Sequence, residues 1–285
     1  EIIENRIVTE KGVDVKTSAP IVVFRESITK TSPETEGKTP NKHNKFYFTV
    51  EPLNPEIYKL IKEGTIPEGR IKKKNLEIRE ALINTGMASK EADQVKNIYK
   101  GNIFVDKTRG QVHLGEVIEL IFDMFEEVMR KGPLVREPCV GVKVNLMDMS
   151  LHEDAIHRGP AQVYPAIREG VRGAMLMAGP ILLEPMQVML IEAPVEYTGE
   201  LSKLVNSLRG QLLDATQEGN MTMIKAKMPV MSMLGWGSDL RSATEGRGVS
   251  SLVDQSFERI PFELQTKIVQ EIKNRKGLTD AMVGV

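Results

Sequence analysis

A single cysteine, Cys139, among 285 residues leaves no partner for an internal disulfide and no multi-cysteine zinc site. That scarcity fits a reducing, cytoplasmic setting. No run approaches the roughly eighteen consecutive apolar residues that a membrane span needs, so no membrane partner is expected. Neither sign of charge prevails: 38 Lys and Arg face 39 Asp and Glu, for a net charge of −1. Overall charge therefore recruits neither a polyanion nor a lipid surface, and any nucleic-acid contact must come from local clusters. An initiator methionine and a signal-peptide layout are also missing from the opening Glu1-Ile2-Ile3-Glu4-Asn5. That start falls inside an amphipathic pattern, and we read the chain as a piece of a longer protein. What is present, 41% hydrophobic and 27% charged residues, is the composition of a globular protein with length for about two domains.

Complete catalytic signatures are lacking too. Glu36-Gly37-Lys38-Thr39 ends like a phosphate loop, but the glycine required five residues before Gly37 is Ser32. A strand pattern follows where a helix is needed, so the chain is expected neither to bind nor to hydrolyse GTP. Four histidines supply no partner set for nucleophilic or acid–base catalysis, and no catalytic residue is assigned. His152 and Asp154 are the neighbours that could join His157 on a metal, a weak ligand set, and none is assigned. Asp154 could equally orient the His157 ring. Lys38, Lys42, His43 and Lys45 form a basic loop with no acid between Gly37 and Val50, a composition suited to phosphate contact or to plain solvation.

The periodicities predict an α+β chain. Residues 20–25 read as a strand, 31–44 as a long polar loop, and 46–50 as a strand behind it. Residues 54–100 read as short charged helices. Leu114, Val117, Ile118, Ile121, Phe122, Phe125, Val128 and Met129 form one face of a helix over 114–130. Val140, Val142, Val144 and Leu146 alternate as a half-buried strand. His157 then falls on a loop ahead of a helix whose first turn holds Pro165. Residues 184–256 follow a β-α-β-β-α-β order, the ferredoxin-like arrangement. A last helix begins at Pro261, buries Leu264, Ile268 and Ile272, and stops at Gly277.

Leu151-His152-Glu153-Asp154-Ala155-Ile156-His157-Arg158-Gly159 resembles the loop that carries diphthamide in archaeal and eukaryotic elongation factor 2. Gly159-Pro160-Ala161-Gln162 departs from the several glycines usual in eukaryotic members. Thr39-Pro40-Asn41-Lys42-His43-Asn44-Lys45 resembles a second loop of the same domain. Asp106-Lys107-Thr108-Arg109-Gly110, Lys131-Gly132-Pro133-Leu134, Leu208-Arg209-Gly210-Gln211 and Asp239-Leu240-Arg241-Ser242-Ala243-Thr244 follow in family order.

The resemblance implies the end of a third domain over residues 1–25 and a fourth domain over 26–183, elongated and like ribosomal protein S5. It implies a ferredoxin-like fifth domain over 184–256 and a terminal helix, 257–285, packing back toward the fourth. It implies His157 as the modified residue, supported by Asp154 and Gly159, with Lys38, Lys42, His43, Lys45 and Arg158 touching RNA. Implied partners are the ribosome (ribosomal, transfer and messenger RNA), the diphthamide-synthesis enzymes and ADP-ribosylating toxins. GTP and magnesium would belong to an N-terminal domain outside this chain, which itself needs no cofactor. A stand-alone RNA-binding module and an elongation-factor-like paralog of ribosome assembly are the alternatives. An acylphosphatase-like enzyme in 184–256 finds no phosphate loop to support it.

Overall fold

The computed structural model describes residues 2–15, 21–73, 75–109 and 114–279. Helices and strands mix throughout, making the chain α+β. It divides into two compact units. The smaller holds residues 1–23 and 185–256, the larger 24–184 and 257–285.

Helix α1 (Ile2–Lys11) belongs to the smaller unit. The larger unit begins with β1 (Arg25–Ile28), β2 (Thr35–Lys38) and β3 (Lys45–Pro52). Next come α2 (Pro55–Lys62), β4 (Gly69–Arg70), α3 (Leu76–Asn84), α4 (Ser89–Ala92), β5 (Val95–Tyr99) and β6 (Asn102–Asp106). Then follow α5 (Leu114–Arg130), β7 (Val142–Ser150) and α6 (Pro160–Met177). A six-stranded sheet runs β2-β3-β7-β6-β5-β4, with β6 and β7 parallel and the other pairs antiparallel. Helices α5 and α6 cover one face, burying Val117, Ile121, Phe125, Ile167 and Val171 against Phe46, Phe48, Val144 and Leu146. Ile57, Ile61, Ile78 and Leu82 of α2 and α3 form a second core with Ile98, Ile103 and Val105. Strand β6 is therefore buried on both sides, Phe104 in one core and its neighbours in the other.

The structure corrects several expectations. Residues Ile21–Phe24 are not a strand; pairing starts at Arg25, opposite Leu183. The polar stretch 31–44 contains β2, whose Gly37 lies opposite Phe46. A Cβ on Gly37 would run into the Ala166 carbonyl oxygen, and Gly170 packs in turn against Phe48 and the Gly37 Cα. The glycine that mimics a phosphate loop is thus the close-approach point of a strand and a helix. Two strands, β4 and β5, lie inside the stretch read as helical. Pro165 sits in the second turn of α6, and Pro160 takes the first position. The carbonyl that Pro165 leaves without its N–H belongs to Ala161, which is exposed to water.

Strand β8 (Pro180–Pro194) leads into the smaller unit, which continues with α7 (Thr198–Ser207), β9 (Gln211–Glu218), β10 (Met221–Pro229), α8 (Trp236–Ala243) and β11 (Val249–Arg259). Strands lie in the order β9-β10-β8-β11, all joined through β8 and β10. That is the ferredoxin-like order, its core built from Ile191, Leu201, Val205, Ile224, Met228, Trp236 and Leu240. Helix α9 (Phe262–Lys276) is part of the larger unit, buries Ile268 and Ile272, and ends on Gly277 in a left-handed cap at φ 64°. Leu264 is only half-buried. Lys276 ties the helix to the loop after α5, donating to the Val135 carbonyl at 2.9 Å and pairing with Glu137 at 2.6 Å.

Candidate RNA-contacting loops

Lys45 opens β3 and Ser150 closes β7, and the two residues are register partners. The segment before β3 and the segment after β7 must therefore leave the sheet at the same end. Both are mostly polar, with Leu151 alone reaching the core, and hydrogen bonds join them. Asn44, fully buried, donates from Nδ2 to the His157 carbonyl at 2.8 Å and accepts the His152 backbone N–H at 2.9 Å. Asn41 donates to the same His157 carbonyl at 3.4 Å, while its own N–H reaches Gln162 Oε1 of α6 at 3.0 Å. Within the first segment, Thr39 Oγ1 accepts from the Asn44 N–H at 3.0 Å and donates to Asn41 Oδ1 at 2.6 Å. Lys42, at the turn, holds a left-handed φ of 64° and projects into solvent.

His157 lies in a 3-10 turn, Ala155–Arg158, rather than in the open loop expected. Asp154 caps that turn, its carboxylate accepting the Ile156 N–H at 3.0 Å. Asp154 thus supports the loop, but through the backbone rather than by orienting the ring. Gly159 closes the turn and caps α6, its carbonyl accepting from Gln162 and Val163. The His157 ring is half-exposed and packs on two other imidazoles. Ring centres lie 4.5 Å from His43 and 4.5 Å from His152, with 4.9 Å between those two. His152 Nδ1 accepts the Asp154 N–H at 3.1 Å, so that lone pair is already used. Among the described residues, no group of three His, Cys, Asp or Glu is arranged to hold a metal.

Lys38, Lys42 and His43 are exposed at this end. Lys45 is half-exposed and tied back to Glu36 at 3.0 Å, an acid from β2 that precedes the loop in sequence. The Lys45 ammonium, with help from the Tyr47 hydroxyl, holds the Glu36 carboxyl below its ordinary range. Arg158 departs from expectation. Its side chain is buried, donating to the His152 and Glu153 carbonyls at 2.7 and 3.3 Å and pairing with Glu116 of α5 at 2.5 Å. It braces the loop from beneath and has no face left for RNA. Asn41, Asn44, Gln162 and Glu116 complete the arrangement without having been singled out by sequence. Asn41 and Asn44 are short polar residues in a polar loop with no periodicity to mark them, and Gln162 and Glu116 sit among ordinary polar positions of α6 and α5.

Residues 64–179 match the family profile for elongation factor G, domain IV, and residues 181–268 match that for the elongation factor G C-terminus. Elongation factor 2 of Nanoarchaeum equitans is 50% identical over 282 residues, 98% of this chain and 38% of that protein. The Methanosphaera stadtmanae protein of the same name is 49% identical over 100% of this chain and 38% of its own length. That of Pyrococcus horikoshii is 48% identical over 94% of this chain and 36% of its own. The chain belongs to the elongation factor 2 family. It spans well under half the length of those relatives, the part that carries domain IV and the C-terminal domain. Among the described residues, no helix is long and apolar enough to cross a membrane.

Proposed function

We propose that this chain is the ribosome-contacting part of a translation elongation factor. In that reading the His157 turn and the Lys42–His43 turn enter the decoding region together. They help GTP-driven translocation of transfer and messenger RNA by a larger protein whose nucleotide-binding domain lies outside this sequence. One observation carries the reading: two polar segments more than a hundred residues apart meet side by side, with Asn44 joining them through His152 and His157. Exposed Lys38, Lys42 and His43 around a half-exposed imidazole offer donors to phosphates and 2′-hydroxyls.

His157 is the diphthamide position in this reading, so the synthesis enzymes and ADP-ribosylating toxins are its further partners. A long cationic arm added there would extend the reach of the loop without disturbing its bonds, because Asn44 holds the His157 backbone rather than its ring. The test is the His157→Ala change in the full-length factor, read by reading-frame maintenance during elongation and by transfer of ADP-ribose from a diphthamide-specific toxin. Loss of the toxin reaction and increased frameshifting are expected. Unchanged frameshifting together with continued ADP-ribosylation would overturn the assignment.

A further inference from the structure

Ile156 and Arg158, two residues apart in one turn, occupy each other's ordinary places. Arg158 is 6% exposed and Ile156 is 77% exposed. A charged side chain is usually the one left in water, and a branched aliphatic one is usually buried. An exposed aliphatic residue alone would need no account. One held outward by a buried arginine does. The space beneath the turn is closed to Ile156, because Arg158 fills it with bonds to the His152 and Glu153 carbonyls and to Glu116 of α5. The backbone is pinned as well: Asp154 accepts the Ile156 N–H at 3.0 Å, and Asn44 holds the His157 carbonyl at 2.8 Å. Leu151 and Ile156 are the large apolar residues of 38–45 and 150–159, and Leu151 packs against the core. Ile156 is therefore an apolar point on an otherwise polar end, and the fold gains little from it.

We propose that Ile156 is an apolar wedge that packs into the minor groove of an RNA helix, against ribose carbons and base edges. The inference rests on the reading that these loops meet RNA. An A-form helix has a wide, shallow minor groove that displays its 2′-hydroxyls and base edges, open to a short side chain. In the minor groove of DNA, leucine, isoleucine and methionine serve as such wedges. Glu153 and Asp154, exposed beside Ile156, repel phosphates from this spot, while their carboxylates can accept from 2′-hydroxyls. Lys38, Lys42 and His43 of the first loop are exposed for the phosphates at the edge of the groove. The first loop then supplies charge and the second an apolar contact.

The test is fluorescence anisotropy of a short labelled RNA duplex with this chain at low salt, with thermal unfolding of each variant alongside. Ile156→Ser keeps the backbone N–H that Asp154 accepts, and its melting temperature is expected to match the parent's. Its affinity for the duplex should fall about five- to tenfold, with the slope against salt unchanged because no phosphate contact is lost. Ile156→Val should restore most of that affinity. A single strand of the same sequence has no groove, so the parent chain and Ile156→Ser should bind it equally. Lys42→Ala is the control for the underlying reading and should weaken binding while lowering the salt slope. Full duplex affinity in Ile156→Ser beside a weakened Lys42→Ala would remove the wedge and leave the RNA reading standing. No binding by the parent chain, or no change in either variant, would remove both. An equal loss on the single strand would overturn the groove contact, and a lowered melting temperature would assign the side chain to the fold instead. In the full-length factor, Ile156→Ser with parental RNA affinity but an unmodified His157 would assign it to a modifying enzyme and likewise overturn the wedge.

Discussion

The Asn44 side chain donates to the backbone carbonyl of His157 at 2.8 Å, across 113 positions of sequence. Its other end accepts the His152 N–H, so one buried amide holds both edges of the second loop to the first. It is the shortest of the bonds that hold the His157 backbone to the first loop, beside the longer one from Asn41.

Replacing Asn44 with alanine orphans that N–H and weakens the tether on the His157 carbonyl, which keeps only the longer bond from Asn41. Leaving buried groups unpaired costs about 1–3 kcal/mol each. We expect Asn44→Ala to lower stability by about 2–3 kcal/mol and to speed amide exchange at His152. Exchange rates unchanged from the parent chain would mean that the loops hold together without this residue.

Gly37→Ala tests the packing origin of the phosphate-loop lookalike. The new methyl meets backbone, the Ala166 carbonyl, which cannot swing aside as a side-chain end could. Overpacking of this kind costs about 1–3 kcal/mol. Urea unfolding should show a loss in that range for Gly37→Ala and less than about 0.5 kcal/mol for Lys38→Ala, which is exposed.

Glu26 should make stability depend on pH. Burial pushes its carboxyl from 4.5 up to about 7, against three backbone N–H bonds from Leu134, Val135 and Glu137. The folded state therefore prefers the proton. Its contribution is fully present below the unfolded value of 4.5 and is lost as pH rises through about 7. The difference between pH 5 and pH 8 from this group is about 2–3 kcal/mol. Urea melts of the parent chain and Glu26→Gln should diverge in slope across that window, the glutamine variant being flatter. Parallel profiles would assign the titration to other groups.

Sequence made the amphipathic parts legible and left the doubly buried and the purely polar parts unread. Val117, Ile121, Phe125 and Val128 recur at helical spacing because one side of α5 faces water, and all four are buried as that spacing predicts. Ile103-Phe104-Val105 carries no alternation, since β6 has a core on each side. Thr35-Glu36-Gly37-Lys38 has too few apolar residues to announce a strand; its pairing comes from β3 and its one glycine from the approach of α6. At the candidate site, motif resemblance located His157 and Lys42. It could not tell which way Arg158 points, because the direction of a side chain in a single 3-10 turn depends on what lies beneath, here Glu116.

Lys42 and Arg158 should consequently fail in different ways. Lys42 is exposed, so Lys42→Ala should leave stability within about 0.5 kcal/mol. If Lys42 meets a phosphate, the same change weakens RNA binding at low salt and reduces the slope of log affinity against log salt by about one. Arg158 donates to two carbonyls and one carboxylate from a buried position. Arg158→Met removes those donors and leaves the His152 and Glu153 carbonyls without them, which should cost about 2–3 kcal/mol and open the 151–159 segment to proteolysis. With the fold intact at low temperature, its salt slope should match that of the parent chain. A reduced slope for Arg158→Met with unaltered stability would restore Arg158 as an RNA contact and remove it as the brace of the loop.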